Sequence, residues 1–386
     1  MKRIVFNIYA VFLLIPLTFA SEAQNINKFA FEFYKSMQGE QEGENLVFSP
    51  YYLYKVLGDL KFCLDGEISK QIGKVLQNSN VGGSSVELKD NDALKSATSL
   101  WLASSQALNA GFVKYSSETL ALDIFGEDLQ NAESLKEKIF AWAKSKPDIL
   151  GKDCEMLRDI SFSENLAAVL LSISSFDAKW KVPFDRRNTR AKTFFYGEDL
   201  SQKAEIDFMY RYSRDIAYEQ TETFQLAKVP YEGDKYSMVF IKPRPSGDLN
   251  TIDGDVFSNL LQILRDSKFT YGEIHLPKFS IKKSLDCISA LKKMGIDFSR
   301  PVKAKFFSSD KSWLFLGKFF SSCLIELDEV STKVKSVNYA DFVWGGVSLN
   351  LNSPFMFFIV ENESGAIIYM GKFCKPEASQ IKDAKK

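Results

Sequence analysis

The chain has one histidine, His275, and five cysteines, Cys63, Cys154, Cys287, Cys323 and Cys374. Hydrolysis by a serine, histidine and aspartate set would need His275 as its base. The residue stands instead in the strand-like run Ile274–His275–Leu276–Pro277–Lys278–Phe279, which is a structural setting. No H-E-x-x-H pattern, phosphate-binding loop or dinucleotide fingerprint occurs, and no cysteine spacing matches a zinc site. No catalytic residue, metal or cofactor is therefore expected. The odd cysteine count leaves at least one thiol unpaired, and burial as small apolar side chains is the expected role of most.

The feature that stands out instead is one long polar stretch late in the chain. Between Leu327 and Pro354 lie Asp328–Glu329–Val330–Ser331–Thr332–Lys333, a polar segment to Ala340, then Asp341–Phe342–Val343–Trp344–Gly345–Gly346. A loop of this length inside a compact domain is usually functional or disordered. Phe342, Val343 and Trp344 carry large apolar side chains there, and Gly345 and Gly346 carry none. The Phe342–Trp344 cluster fits two roles equally, a partner's anchor point or a loop tip folded onto its own body.

Two strands must hold this loop. Leu316 to Leu327 alternates, with Cys323, Ile325 and Leu327 on one face, and Pro354 to Val360 is a near-continuous apolar run suited to a sheet buried on both faces. Upstream, Ile26, Phe29, Ala30, Phe33, Tyr34 and Met37 recur at three and four and predict an amphipathic helix. In Asn45–Leu46–Val47–Phe48–Ser49–Pro50, Ser49 is a candidate cap and Pro50 suits a first helical turn. Ser134 and Glu137 form a capping-box pattern before the stripe Leu135, Ile139 and Trp142. Leu166 to Phe176 reads as a central strand buried on both sides, Leu285 to Met294 as a helix, and Gln77 to Ser85 as a loop. Phe355–Val360 and Ile367–Phe373 read as a hairpin across Glu361–Gly365. Helices first and long mixed strands later give an α+β class.

Lys plus Arg and Asp plus Glu both number 49, a formal net charge of zero, which argues against a nucleic-acid partner. Met1–Lys2–Arg3 followed by apolar sequence from Ile4 to Ala20 reads as a secretory signal peptide over residues 1–20, cut after Ala20 or Ala23. No later run is long and apolar enough to predict a membrane span. Residues 21–386 lack a Pro/Gly/Ser-rich linker or repeat, so a single domain is expected. Secretion makes Asn362–Glu363–Ser364 a candidate glycosylation site at Asn362.

Several stretches together resemble the serpins, the family of loop-presenting protease inhibitors. They are Asn45–Pro50, Phe176–Asp177–Ala178–Lys179–Trp180 with Pro183–Phe184, Val229–Pro230–Tyr231–Glu232–Gly233 with Ser237–Met238, Leu276–Pro277–Lys278–Phe279, Pro354–Phe355–Met356–Phe357 and Met370–Gly371–Lys372. The resemblance spans residues 29 to 376 and rests on order and spacing. It implies three β-sheets, eight to nine helices and an exposed reactive loop over residues 329–353. It also implies a monomer whose partner is an extracellular serine protease, trapped as an acyl-enzyme when the cleaved loop enters the large sheet. The alternative it leaves open is a non-inhibitory member acting as a binding or carrier protein or as a protease substrate.

At the hinge, Glu329 and Thr332 match the family pattern, while Ser331 replaces a glycine and Lys333, Val334 and Lys335 replace acidic and alanine positions. If Thr332 faces inward on insertion, so do Val334, Ser336 and Asn338, and no charge is forced inside. The family's polar network under the opening sheet is replaced by Tyr52, Tyr54, Ser172 and Ser321, with Trp180 packed beneath the hinge. Counting from Glu329 places the scissile bond at Gly345–Gly346. Counting back from Pro354 places it at Val343–Trp344.

Overall fold

The computed structural model describes residues 9–382 apart from 78–87, 89–90, 151–156, 159, 164, 245–247, 253, 255, 258–261, 265–266, 270–271, 309–312 and 330–346. In chain order the elements are α1 (Tyr9–Met37), β1 (Leu46–Phe48), α2 (Pro50–Cys63), β2 (Leu64–Asp65), α3 (Glu67–Val75), β3 (Leu94–Ala103), α4 (Ala110–Thr119), β4 (Leu122–Glu127), α5 (Ala132–Lys144) and β5 (Ala168–Phe176). Then follow β6 (Arg190–Tyr196), β7 (Gln202–Ser213), β8 (Ala217–Gln220), β9 (Phe224–Pro230), β10 (Tyr236–Pro243), β11 (Lys268–Phe269), β12 (Gly272–Pro277), β13 (Phe279–Asp286) and α6 (Ile288–Lys293). The chain closes with β14 (Val302–Ala304), β15 (Trp313–Leu314), β16 (Phe320–Leu327), β17 (Val347–Asn350), β18 (Phe355–Glu361) and β19 (Ile367–Phe373). The α+β class holds. Among the described residues there are six α-helices, and the strands form five hydrogen-bonded ladders.

The chain divides into two compact units. The first comprises Met1–Tyr51, Ala178–Ser284 and Cys323–Lys386. Its core is a seven-stranded sheet in the order β1-β19-β18-β10-β9-β8-β11. Every residue of β18 and β19 is buried, as the unbroken apolar runs require of strands covered on both faces. Gly371 in β19 is obligatory, because a Cβ there would lie 2.2 Å from the Leu46 carbonyl oxygen and 2.4 Å from the Phe357 ring. The predicted stripe of α1 is buried from Ala23 to Met37, and Asn27 both donates to the Gly365 carbonyl and accepts from the Ile367 amide, fixing the hairpin turn. Asn45 accepts from the Cys374 amide and donates to the Lys375 carbonyl, while the Ser49 hydroxyl donates to the Ile368 carbonyl. The Asn45–Pro50 motif thus ties β1 to β19. A second sheet of the unit runs β17-β12-β7-β6, with β17 parallel to β12.

The second unit comprises Tyr52–Asp177 and Leu285–Ser322. It holds the sheet β4-β3-β5 and the smaller sheet β15-β14-β2. β13 and β16, which form a two-stranded ladder, are the strands in which the chain passes from one unit to the other.

Three sequence expectations change in detail. The helix expected from Ser134 begins earlier, at Ala132, and its cap is Asn131, whose side chain accepts from the Ser134 amide. The buried stripe Leu135, Ile139 and Trp142 stands as expected. β5 is not buried on both sides, since Ile173 alone of its residues is buried, and it is the outer strand of its three-stranded sheet. The strand expected from Leu316 starts only at Phe320, and before it Gly317 packs where a Cβ would meet the Ser163 hydroxyl at 2.4 Å.

Among the described residues Cys63, Cys287, Cys323 and Cys374 are free thiols. Cys63, Cys287 and Cys374 are buried, which pushes each thiol above its ordinary range, to about 12 for Cys63 and Cys287. Cys154 lies outside the described residues.

Candidate functional site

β16 delivers the chain to Asp328 and Glu329, and β17 receives it again at Val347. Residues 330–346 lie outside the described residues, and with them the expected hinge positions Ser331, Thr332, Val334 and Ser336 and the expected scissile candidates Val343, Trp344, Gly345 and Gly346. What the structure defines is the root from which that stretch leaves.

The root is a polar latch. Glu329 is 3% exposed. One carboxylate oxygen accepts from the Thr189 hydroxyl at 2.6 Å, and the other lies 2.8 Å from the Lys278 ammonium. Burial pushes the Glu329 carboxyl up, but the Lys278 and Thr189 bonds more than offset it and hold the group below its ordinary range. Beside it the Trp180 indole donates to the Asp328 carbonyl at 3.0 Å. The two residues where the strand ends are therefore gripped by three side chains, brought from the segment before β6, from between β12 and β13, and from the segment after β5.

Trp180 is itself positioned by two of the resemblance motifs meeting. Its ring stacks on Tyr231 at 4.7 Å and 9°, and Phe184 closes edge-on at 5.8 Å. Backbone bonds from Lys181 to Pro230 and from Glu232 to Lys179 join the two segments. The turn between β9 and β10 uses a positive φ at Gly233 and at Asp234, whose carboxylate pairs with Lys181 at 2.5 Å. Arg211 lies over the Phe184 ring, donates to the Val182 carbonyl and pairs with Asp215 at 3.2 Å, bracing the segment from below.

The residues expected in the sheet-opening region are placed as follows. Tyr52 and Tyr54 are buried on α2, and the Tyr54 hydroxyl donates to the Leu76 carbonyl at 2.7 Å. Ser172 lies on β5 and accepts from Thr98 of β3 at 3.2 Å. Ser321 lies on β16. Trp180 donates to the Asp328 carbonyl at the Glu329 root.

His275 stands on β12 with its Nδ1 2.6 Å from Lys192 and its Nε2 3.5 Å from Glu273. Burial and the Lys192 charge push its pKa down, so the ring is a neutral polar link within the sheet β17-β12-β7-β6. Asn362 sits in the β18–β19 turn, half-buried, with its Nδ2 donating to the Asp234 carbonyl at 2.7 Å. Sequence reasoning missed two latch residues. Lys278 stood inside Leu276–Pro277–Lys278–Phe279 without a role, and Thr189 carried no signal.

This fold has known counterparts. The family model described as Serpin (serine protease inhibitor) matches residues 24–376. Neuroserpin of Gallus gallus is 24% identical over 387 residues, covering 92% of each chain. Serpin B10 of Sorex araneus is 24% identical over 402 residues, covering 92% of this chain and all of the relative. Human thyroxine-binding globulin superposes with a TM-score of 0.77 at 18% identity, covering 93% of this chain and 99% of its own. The family match takes in Glu329, Lys278, Thr189 and Trp180 together with both strands that bracket the loop. The chain belongs to the serpin family.

Proposed function

We propose that the chain is a secreted inhibitor of an extracellular serine protease of chymotrypsin or elastase type, acting by loop cleavage and covalent trapping. The observation that carries this reading is the latch at Glu329. A protease serine attacking a carbonyl within Phe342–Gly346 releases the leaving amine and stays bound as an ester to the loop's upstream half. That half is still continuous with β16 through Asp328 and Glu329. For insertion to drag the bound protease, the point where the loop joins the body must not yield. Lys278, Thr189 and Trp180 supply that fixed point. The stored free energy of the native state is then released by adding a strand.

Parity favours the same step. With Thr332 inward, Val334, Ser336 and Asn338 enter the sheet and Lys333 and Lys335 stay in water, so no charge is desolvated. The amino-terminal pattern supports secretion, and the buried face of α1 includes Glu22 and Ala23. A cut after Ala20 keeps that face whole, and a cut after Ala23 removes part of it. The inhibitor acts as a monomer.

The test is incubation with chymotrypsin and with elastase, followed by denaturing electrophoresis. An SDS-resistant adduct at the summed mass is expected. Complete turnover of the loop without an adduct overturns the reading.

A second reading is a non-inhibitory binding or carrier role. The observation in its favour is α2, where the two tyrosines expected in the opening region are buried and the Tyr54 hydroxyl is committed to Leu76. Aromatic side chains fixed there resist the repacking that sheet opening demands.

A further inference from the structure

The Lys192 side chain leaves β6 and reaches across β7 to the His275 ring on β12, where its Nζ lies 2.6 Å from Nδ1. An ammonium can only donate, so Nδ1 is the accepting nitrogen and the ring proton sits on Nε2. That proton faces Glu273, two residues back on the same face of β12, whose Oε1 lies 3.5 Å from Nε2. The neighbouring strands fix both groups. The Tyr210 ring of β7 packs on His275 at 4.9 Å and 43°. Ser348, opposite Glu273 in register on β17, is the main influence holding that carboxyl below its ordinary range, with His275 and Tyr210 acting the same way against burial. Among the described residues the titratable groups facing the ring are Lys192 from β6, Tyr210 from β7 and Glu273 from its own strand, while β17 brings the neutral Ser348 and Asn350. Lys192, Tyr210, Glu273 and His275 are all half-buried, so the line from amine to base to carboxylate is built into the sheet and still open to water.

We propose that Lys192 is an acylation site, an amine with its own base, which takes an acyl group from a thioester or another activated ester. Burial and the Lys192 charge push the His275 pKa down, so at neutral pH the ring is uncharged and able to accept the ammonium proton. The imidazolium so formed stands against Glu273, which positions the ring through Nε2. One proton passes from Nζ to Nδ1 and on to water, and a turn about the Cε–Nζ bond aims the freed electron pair at solvent. The Nζ–C bond forms, the bond from the acyl carbon to the leaving sulfur or oxygen breaks, and the leaving group takes a second proton from Nζ. The product is a neutral amide, and the step is a single modification without turnover. A lysine in open solvent has no such base and reacts only through its small neutral fraction, set by an ordinary pKa of about 10.4.

The experiment treats the full chain with limiting 4-nitrophenyl acetate between about pH 7 and about pH 9 and follows acetylation of each lysine by peptide mass mapping. Lys203, exposed on the adjacent β7, is the reference. At about pH 7 Lys192 should react about 100-fold faster than Lys203. Lys203 should gain about tenfold per pH unit as its neutral fraction grows, while Lys192, whose base is already neutral, stays level, so the advantage closes by about pH 9. His275→Gln should bring Lys192 down to the Lys203 rate and give it the same climb with pH. Glu273→Gln should slow Lys192 about tenfold and move the acid limb of its profile lower, since Glu273 favours the charged ring. Melting midpoints establish that the variants fold, and the parent's own profile carries the test whether or not they do. The proposal is overturned by a Lys192 rate equal to that of Lys203 at about pH 7, by a Lys192 rate that climbs about tenfold per unit alongside it, or by a folded His275→Gln variant that reacts as the parent does.

Discussion

Replacing Asp59 by asparagine is expected to stabilise the protein, and to do so more at pH 8 than at pH 5. Asp59 lies on α2, five residues beyond Tyr54, and is 6% exposed. Its Oδ2 has no hydrogen-bond partner among the described residues. Burial pushes the carboxyl from 3.8 up to about 7, with Lys55 pulling weakly the other way. Between those two values the folded chain keeps a proton that the unfolded chain has released. The folded state therefore loses stability as pH rises through the window, and above about 7 the full cost is present. At about 1.36 kcal/mol per unit the whole span is worth about 4 kcal/mol. The part between pH 5 and the folded-state value is worth about 3 kcal/mol. Asparagine keeps the shape and cannot ionise, although its amide carries its own burial cost, about 1–3 kcal/mol and independent of pH. The assay is urea unfolding of both proteins at the two pH values. The variant's stability relative to the parent should rise by about 3 kcal/mol from pH 5 to pH 8. A relative stability equal at the two pH values would refute the reasoning.

The latch makes a prediction of opposite sign. Glu329→Gln should cost about 1–3 kcal/mol, and Lys278→Ala more, because it strands a buried carboxylate; a double-variant cycle in urea should return a coupling above about 1 kcal/mol. Since the Glu329 pKa is held below its ordinary value, this coupling is present above pH 4.5 and fades as pH falls below it, and a coupling unchanged at pH 3 would remove the ion pair from the account. Limited proteolysis should nick first between Tyr339 and Ser348, leaving the body intact; a first cut near Gln77–Ser85 would show that the loop is packed down. Secreted material should carry a glycan on Asn362, the remaining Nδ2 hydrogen keeping its bond to Asp234, and mass mapping after glycosidase treatment that finds only unmodified peptide would remove the site.

How much could be seen beforehand depended on whether the signal was local. The α1 stripe and the β18–β19 hairpin were legible, because a run of side chains reports its own period and burial. The family motifs were legible as landmarks, yet their physical purpose was not. That Gly371 must lack a Cβ, or that Lys179–Lys181 pairs with Pro230–Glu232, is a fact about neighbours distant in sequence. The half-exposed state of β5 was hidden for a related reason, since an apolar strand reads alike at the centre of a sheet and at its edge. At the site, Glu329 was found by its place before the loop. Its partner Thr189 lies 140 residues away and carries no pattern, so only the fold could bring the two together. Asp59 escaped notice because a single charge on a helix ordinarily lies on its solvated face.

The claim that the loop traps its protease is tested most directly by a thermal scan of the protein before and after a single cleavage within Phe342–Gly346. If the cut loop enters the sheet from the Glu329 root, Thr332, Val334, Ser336 and Asn338 become buried, strand edges become paired, and the melting midpoint should rise sharply. A midpoint unchanged by cleavage would contradict the account, leaving Tyr52 and Tyr54 as the side chains that keep the sheet closed.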